Sequence, residues 1–275
     1  MSPRKRHLER CTRLLHQSPC LALLGARQVD KTTLAGEIVR GWSGPVHQFD
    51  FIRTFVERDL PTLGSRVPST TTDRFWRMLA HVHGQVWNAS RIASSFGVAD
   101  STVRRYLDTL TSTLVVDQLQ PWHENVGKRQ VKSPKAYIND SGLLYALLDL
   151  NDRTALERHP VVGASWEGFI IRQLIEITGA RRDQRYFWAT HAGAELDLLI
   201  VRGDERIGFE VKRTATPKVT ASIRSAIETL RLDRAVIVHA GQHTFPLADG
   251  IEARAARSLL GDPDGSQQLA HGRWT

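Results

Sequence analysis

Apolar and polar positions alternate most clearly between Arg185 and Arg213, where three strand-like runs are separated by two turns. The first run is aromatic (Tyr186, Phe187, Trp188), and the second sets Leu196, Leu198 and Ile200 around Asp197. The third, Ile207 to Lys212, follows a turn at Gly203 and Asp204. Residues two apart on a strand share a face. Period two therefore groups Glu195 with Asp197 on the second strand and Glu210 with Lys212 on the third.

Elsewhere the spacing is helical. Phe75, Leu79 and Val82 recur at helical intervals within Arg74 to His83, which Gly84 closes. Ser90 is placed to cap a short helix from Arg91 to Phe96, and Gly97-Val98 makes the turn. Asp100 then caps a helix whose buried face is Val103, Tyr106, Leu107 and Leu110. Leu143 to Leu148 and Ala221 to Leu230 predict two further helices, and Ala235 to His239 a buried strand. Leu8, Leu14 and Leu15 among arginines fit a short basic amphipathic helix from Arg4 to His16. After Asp249 the chain turns rich in alanine, glycine and charge, which predicts a tail.

The 275 residues suffice for two domains with their own cores, and 41% hydrophobic with 24% charged is ordinary globular composition. The net charge of +8 favours a polyanionic partner, with DNA the expected one. Cys11 and Cys20 suggest no disulfide framework, and the apolar run Cys20 to Ala26 is too short for a membrane span or secretory core. A cytoplasmic protein without a membrane partner is the expectation.

The acids of the two strands carry chemistry. Carboxylate oxygens suit a hard divalent cation such as Mg2+, and a neighbouring lysine can orient or deprotonate an attacking water. Asp197 followed by Glu210-Val211-Lys212 resembles the core signature of the PD-(D/E)xK nuclease superfamily. That resemblance implies a restriction-endonuclease-like mixed sheet and a further acid from a preceding helix, a place Glu167 fits in Trp166-Glu-Gly-Phe169. It makes Glu167, Asp197 and Glu210 the metal ligands, Lys212 the residue that positions water, and Glu195 the second-choice acid. Against this stands a simpler view, since Glu-x-Lys is common on any solvated sheet.

Cys20 to Leu34 sets an apolar strand before a glycine loop and Lys-Thr-Thr, the context of a phosphate-binding P-loop. Gly25, Lys31, Thr32 and Thr33 are the nucleotide candidates, Lys31 for the terminal phosphates and Thr32 for magnesium. Asp30 stands where the pattern needs glycine, adding bulk and negative charge against a polyphosphate. No Walker B element follows.

Gly25-Ala-Arg-Gln-Val-Asp-Lys-Thr-Thr33, Phe55-Val-Glu-Arg-Asp-Leu-Pro61, Thr102-Val-Arg-Arg-Tyr-Leu107, Lys132 to Leu143 and Trp166-Glu-Gly-Phe169 together resemble prokaryotic AAA-type ATPases with a C-terminal domain of unknown function (family 4143). The likeness runs from residue 20 to about 245. Intact members hold a full ATPase domain between the first two motifs, and this chain has room for about one helix and one strand, so ATP hydrolysis is not expected and ATP binding remains an option.

The middle segment reads as a winged helix-turn-helix. Ser101, Thr102, Arg104 and Arg105 sit on the exposed side of its second helix, types that contact phosphates and base edges. The basic loop Gly127 to Lys135 adds Lys128, Arg129, Lys132 and Lys135 as backbone-gripping charges, though lysines also protect a solvated hairpin edge. His81 and His83, two apart on a helix, are not a metal pair.

The expected architecture is α/β: a truncated P-loop segment at 1–50, a winged-helix and connecting region at 51–150, a restriction-endonuclease-like domain at 151–245 and a tail at 246–275. The expected function is DNA binding with metal-dependent cleavage. A non-catalytic ATP- or DNA-binding regulator and an inert, internally deleted ATPase remain alternatives.

Overall fold

The computed structural model describes residues 8–13, 34, 37–38, 41, 51–123 and 131–261. The nucleotide candidates Gly25, Lys31, Thr32 and Thr33, and the basic-loop residues Lys128 and Arg129, lie outside the described residues. The chain divides into two compact units, Met1–Leu63 and Gly64–Thr275.

In the first unit residues 8–13 are helical and Cys11 is buried. A helix Phe51–Thr54 passes through a π-helical turn, Phe55–Asp59, into Leu60–Thr62. Pro61 has no N–H to give to the usual helical bond, and the turn before it widens so that the Leu60 N–H reaches the Phe55 carbonyl.

The second unit opens with three helices. α1 (Ser69–His81) buries Phe75, Trp76 and Leu79 completely. α2 (Ala89–Phe96) is capped by the side chain of Asn88, which accepts from the Arg91 N–H at 3.0 Å, and not by Ser90. Asn88 wins because it is the residue in extended backbone just before the helix, whereas Ser90 is already inside it and bonds Asp100. Gly97 ends α2 at φ 64°, a left-handed conformation that glycine adopts without the steric cost of a Cβ. α3 (Asp100–Ser112) starts after Ala99, so Asp100 stands in the first turn and complements the helix dipole instead of capping. Its Val103, Leu107 and Leu110 are buried, and Tyr106 packs edge-on against Phe75.

β1 (Val116–Pro121) and β2 (Lys135–Ile138) follow as an antiparallel pair. After α4 (Ser141–Leu147), α5 (Arg153–Arg158) and the long α6 (Val162–Thr178) come β3 (Arg185–Ala189), β4 (Glu195–Arg202), β5 (Glu205–Lys212), α7 (Ala221–Leu230), β6 (Arg234–His239), β7 (Phe245–Ala248), β8 (Ile251–Ala255) and α8 (Ala256–Gly261). The eight strands form one mixed sheet in the order β2-β1-β3-β4-β5-β6-β8-β7. Because β1 joins β3 through Gln120 opposite Tyr186 and Pro121 opposite Phe187, the middle segment extends the sheet, and no compact unit ends at residue 150.

One face of the sheet carries Phe187, Leu198, Ile200, Phe209, Val236 and Val238 against α6 and α8. The other carries Trp188, Leu196, Leu199, Ala235 and Ile237 against α7. Residues 246–261, expected as part of a tail, instead supply β7, β8 and α8. Ile251, Ala253 and Ala255 are small or branched and buried, so β8 fits between β6 and β7 after a Gly250 turn at φ 67°.

Candidate acid and lysine centre

Two features bring the acids of β4 to α6. The register of β3 and β4 shifts between Tyr186 opposite Leu199 and Trp188 opposite Leu196, so two residues of β4, Asp197 and Leu198, face one of β3. This bulge breaks period two: Leu196 packs toward α7, while Leu198 turns to the α6 side. The Asp197 carboxylate accepts the Val211 backbone N–H at 2.8 Å and lies 3.8 Å from Lys135 Nζ.

The second feature is Gly168, next to Glu167 on α6. A Cβ there would sit 2.6 Å from His83 Nε2 and 3.0 Å from Tyr137 Cδ1. Alanine would gain about 1 kcal/mol of helix propensity but overpack by about 1–3 kcal/mol. Close approach therefore decides the residue.

Lys135, at the start of β2, is the hub. Its ammonium is 3.1 Å from Glu167 Oε1, pairs with Glu195 Oε1 and passes over the Phe187 ring at 5.6 Å. Burial by itself would pull the Lys135 ammonium down, but Glu167, Asp197 and Glu195 outweigh it and hold it above the ordinary lysine range. The Tyr137 hydroxyl donates to the same Glu167 oxygen at 2.6 Å, and burial above all, then Glu167, keeps that phenol protonated.

Glu210 and Lys212 form a separate pair. Lys212 Nζ is 2.6 Å from Glu210 Oε1. Ile207, Phe209 and Val211 pack toward α6, so alternation sends Glu210 and Lys212 to the opposite side of β5. Burial, first, raises the Glu210 carboxyl, against the pull of Lys212. Burial lowers and Glu210 raises the Lys212 ammonium, the net effect being upward, so this lysine stays charged and can orient a water but not deprotonate one. Burial, then Glu167 and Glu210, pushes Asp197 well above the usual carboxylate range.

Of the expected site residues, Glu167, Glu195 and Asp197 are thus gathered on Lys135, while Glu210 and Lys212 neighbour them as their own pair. Among the described residues no three His, Cys, Asp or Glu side chains are arranged to hold a metal ion. The donor set Glu167, Asp197, Glu210 does not fit Mg2+ as it stands, because the Lys135 ammonium lies against Glu167 and Asp197, Asp197 already accepts an amide and Glu210 is paired with Lys212. Lys135, expected as a phosphate-gripping surface charge, is 3% exposed. The signal that could have found it is Lys135-Ala-Tyr-Ile138, a lysine opening a run that is buried at every position.

Arg104 and Arg105 are exposed on α3, Thr102 is half-buried and Lys132 exposed. His83, also missed, accepts the Ile138 N–H at 3.0 Å and meets Tyr137 edge-on. Burial lowers its pKa to about 4, with the Ala164 carbonyl pulling weakly the other way. The unfolded imidazole takes a proton near pH 6.5 and the folded one does not, so its contribution is complete above about pH 6.5 and is lost as pH falls towards 4. Relative to His83→Gln, the parent should lose about 3 kcal/mol across that window in urea unfolding. Parallel stability profiles for the two proteins would refute a neutral buried His83.

Residues 46–154 match a family described as a domain of unknown function (DUF8612), and residues 162–259 one described as a domain of unknown function (DUF4143). The chain is 50% identical over 210 residues to the uncharacterized proteins Mb2031c of Mycobacterium bovis and Rv2008c of Mycobacterium tuberculosis. Each match takes in 76% of this chain and 47% of the relative, so the chain spans about half the length of the curated relatives it matches. The crystal structure of protein VC1899 from Vibrio cholerae aligns with 98% of this chain and 80% of its own at 14% identity and a TM-score of 0.26. No helix among the described residues is long and apolar enough to cross a membrane.

Proposed function

We propose that the chain is a cytoplasmic DNA-binding protein in which α1 to α3 with β1 and β2 act as a winged helix-turn-helix and the sheet is a restriction-endonuclease-like domain that binds without cutting. The observation that carries the binding is α3, which buries Val103, Leu107 and Leu110 and leaves Arg104 and Arg105 exposed. Lys132 is exposed and extends the basic character, and the +8 net charge fits a polyanion. Lys135 among the carboxylates supports binding over hydrolysis.

Fluorescence anisotropy with a labelled duplex tests this. Arg104→Ala with Arg105→Ala should weaken binding and reduce the salt slope by about 1 for each arginine that grips a phosphate in the parent. Unchanged affinity and slope would remove α3 from the interface.

A second reading, metal-dependent phosphodiester cleavage by Asp197, Glu210 and Lys212, draws on one atom. Glu210 Oε2 is buried without a hydrogen-bond partner, the kind of oxygen a cation satisfies. Nicking of supercoiled DNA that needs Mg2+ or Mn2+ and vanishes in Lys212→Ala would favour it. The ATP reading rests on Gly25, Lys31, Thr32 and Thr33 and on the family resemblance alone.

A further inference from the structure

The geometry points to Lys135 as the resident cation of this centre: its ammonium takes the place of a divalent metal among Glu167, Glu195 and Asp197 and excludes one. Among the described residues Lys135 is the one cation in ion-pair contact with all three carboxylates, while Lys212, paired with Glu210, acts on Glu167 and Asp197 from farther off. Glu167 Oε1 lies 3.1 Å from the Lys135 nitrogen and Asp197 Oδ1 3.8 Å, with Glu195 in contact. A magnesium ion would need oxygens at about 2.1 Å and would share that volume with a fixed positive charge. Like charges so close in a desolvated pocket repel strongly.

Lys135 is not a surface lysine that can swing aside. It opens a strand whose four residues are all buried, is paired with Leu119 across β1 and bridges to Val86. The carbonyls on either side of it are held as well, Pro134 by the Trp87 N–H at 2.7 Å and Ala136 by the Gly84 N–H at 2.8 Å. With the backbone so fixed and the side chain only 4% exposed, the ammonium has little solvent to swing into. The chain therefore supplies the counter-charge from its own lysine side chain.

The inference rests on the non-cleaving form of the function proposed above, and its test uses no DNA, so either can fail without the other. The purified chain, Lys135→Met and Lys135→Gln are titrated with MnCl2, free Mn2+ being read by electron paramagnetic resonance and the melting temperature recorded alongside. The parent should show no Mn2+ uptake that Asp197→Asn abolishes. Methionine keeps the stem and removes the charge, so Lys135→Met should bind Mn2+ at least roughly ten-fold more tightly than the parent and melt higher with it. Adding Asp197→Asn should erase both effects.

Stoichiometric Mn2+ binding by the parent that depends on Asp197 overturns the inference, and so does a Lys135→Met protein that binds no better than the parent. Should Lys135→Met refold only with Mn2+ present, that dependence supports it. Should neither variant fold under any condition, the parent titration alone decides.

Discussion

Lys135→Met is expected to lower the unfolding free energy by about 3–5 kcal/mol at neutral pH, the range for removing one partner of a buried ion pair. The stem is retained, and what is lost is the ammonium, both its ion pairs and its place 5.6 Å from the Phe187 ring centroid. Glu167, Glu195 and Asp197 are left without the one cation that contacts all three, and only the more distant Lys212, already paired with Glu210, still acts on Glu167 and Asp197. The size is limited by two escapes: Glu195 is partly exposed and keeps some of its hydration, and Asp197, already raised chiefly by burial, can take up a proton.

The second escape gives the defect a pH signature. Acids whose folded pKa is raised contribute stability that is present at low pH and lost as pH rises through that pKa. In the variant the Asp197 pKa goes higher still, so the deficit should be small near pH 4 and grow towards pH 8. Urea unfolding across that range measures it. A neutral-pH loss below about 1 kcal/mol, or a loss independent of pH, would show that the ammonium is not what holds these acids together.

The second large effect is expected at Asp117, which joins β1 to β3. Asp117 accepts from both guanidinium nitrogens of Arg185, each contact 2.9 Å, and both residues are buried. The parallel pairing they brace involves only Gln120 with Tyr186 and Pro121 with Phe187. Burial, first, works against the Arg185 charge, Asp117 supports it, and Arg172 and Arg182 add repulsion. Asp117→Ala leaves that guanidinium buried with like charges, at a cost of about 3–5 kcal/mol. Asp117→Leu combined with Arg185→Met should recover most of the loss, because no charge is then stranded. Unfolding of the single and double variants in one urea series decides it. A double variant no more stable than Asp117→Ala would sink the explanation.

Local periodicity made much of the element set legible before any coordinates. Ala221–Leu230 is helical with the bounds that its spacing predicts, and the three runs from Tyr186 to Lys212 are strands. Alternation also placed Glu210 and Lys212 together, and they pair. At β4 it grouped Glu195 with Asp197, and both meet Lys135, but it failed for Leu196 and Leu198, since a bulge depends on the neighbouring strand and leaves no mark in the bulged one. It failed again at β8, where a short run of alanines and charge reads as polar until β6 and β7 lie on either side of it.

The sequence by itself determined what its own neighbours decide: which stretches coil or extend, which residues punctuate them, and which acids and lysines are present at period two. Tertiary structure decided which charges meet. Lys135 reads as one more positive residue of a basic loop, and only the joining of β1 to β3 together with the close approach of α6 at Gly168 carries it to Glu167, Glu195 and Asp197. The reason is physical. Helix and strand propensities act over a few residues, whereas an ion pair across distant segments exists only after the apolar faces of the sheet have been buried and water has been removed from around the charges.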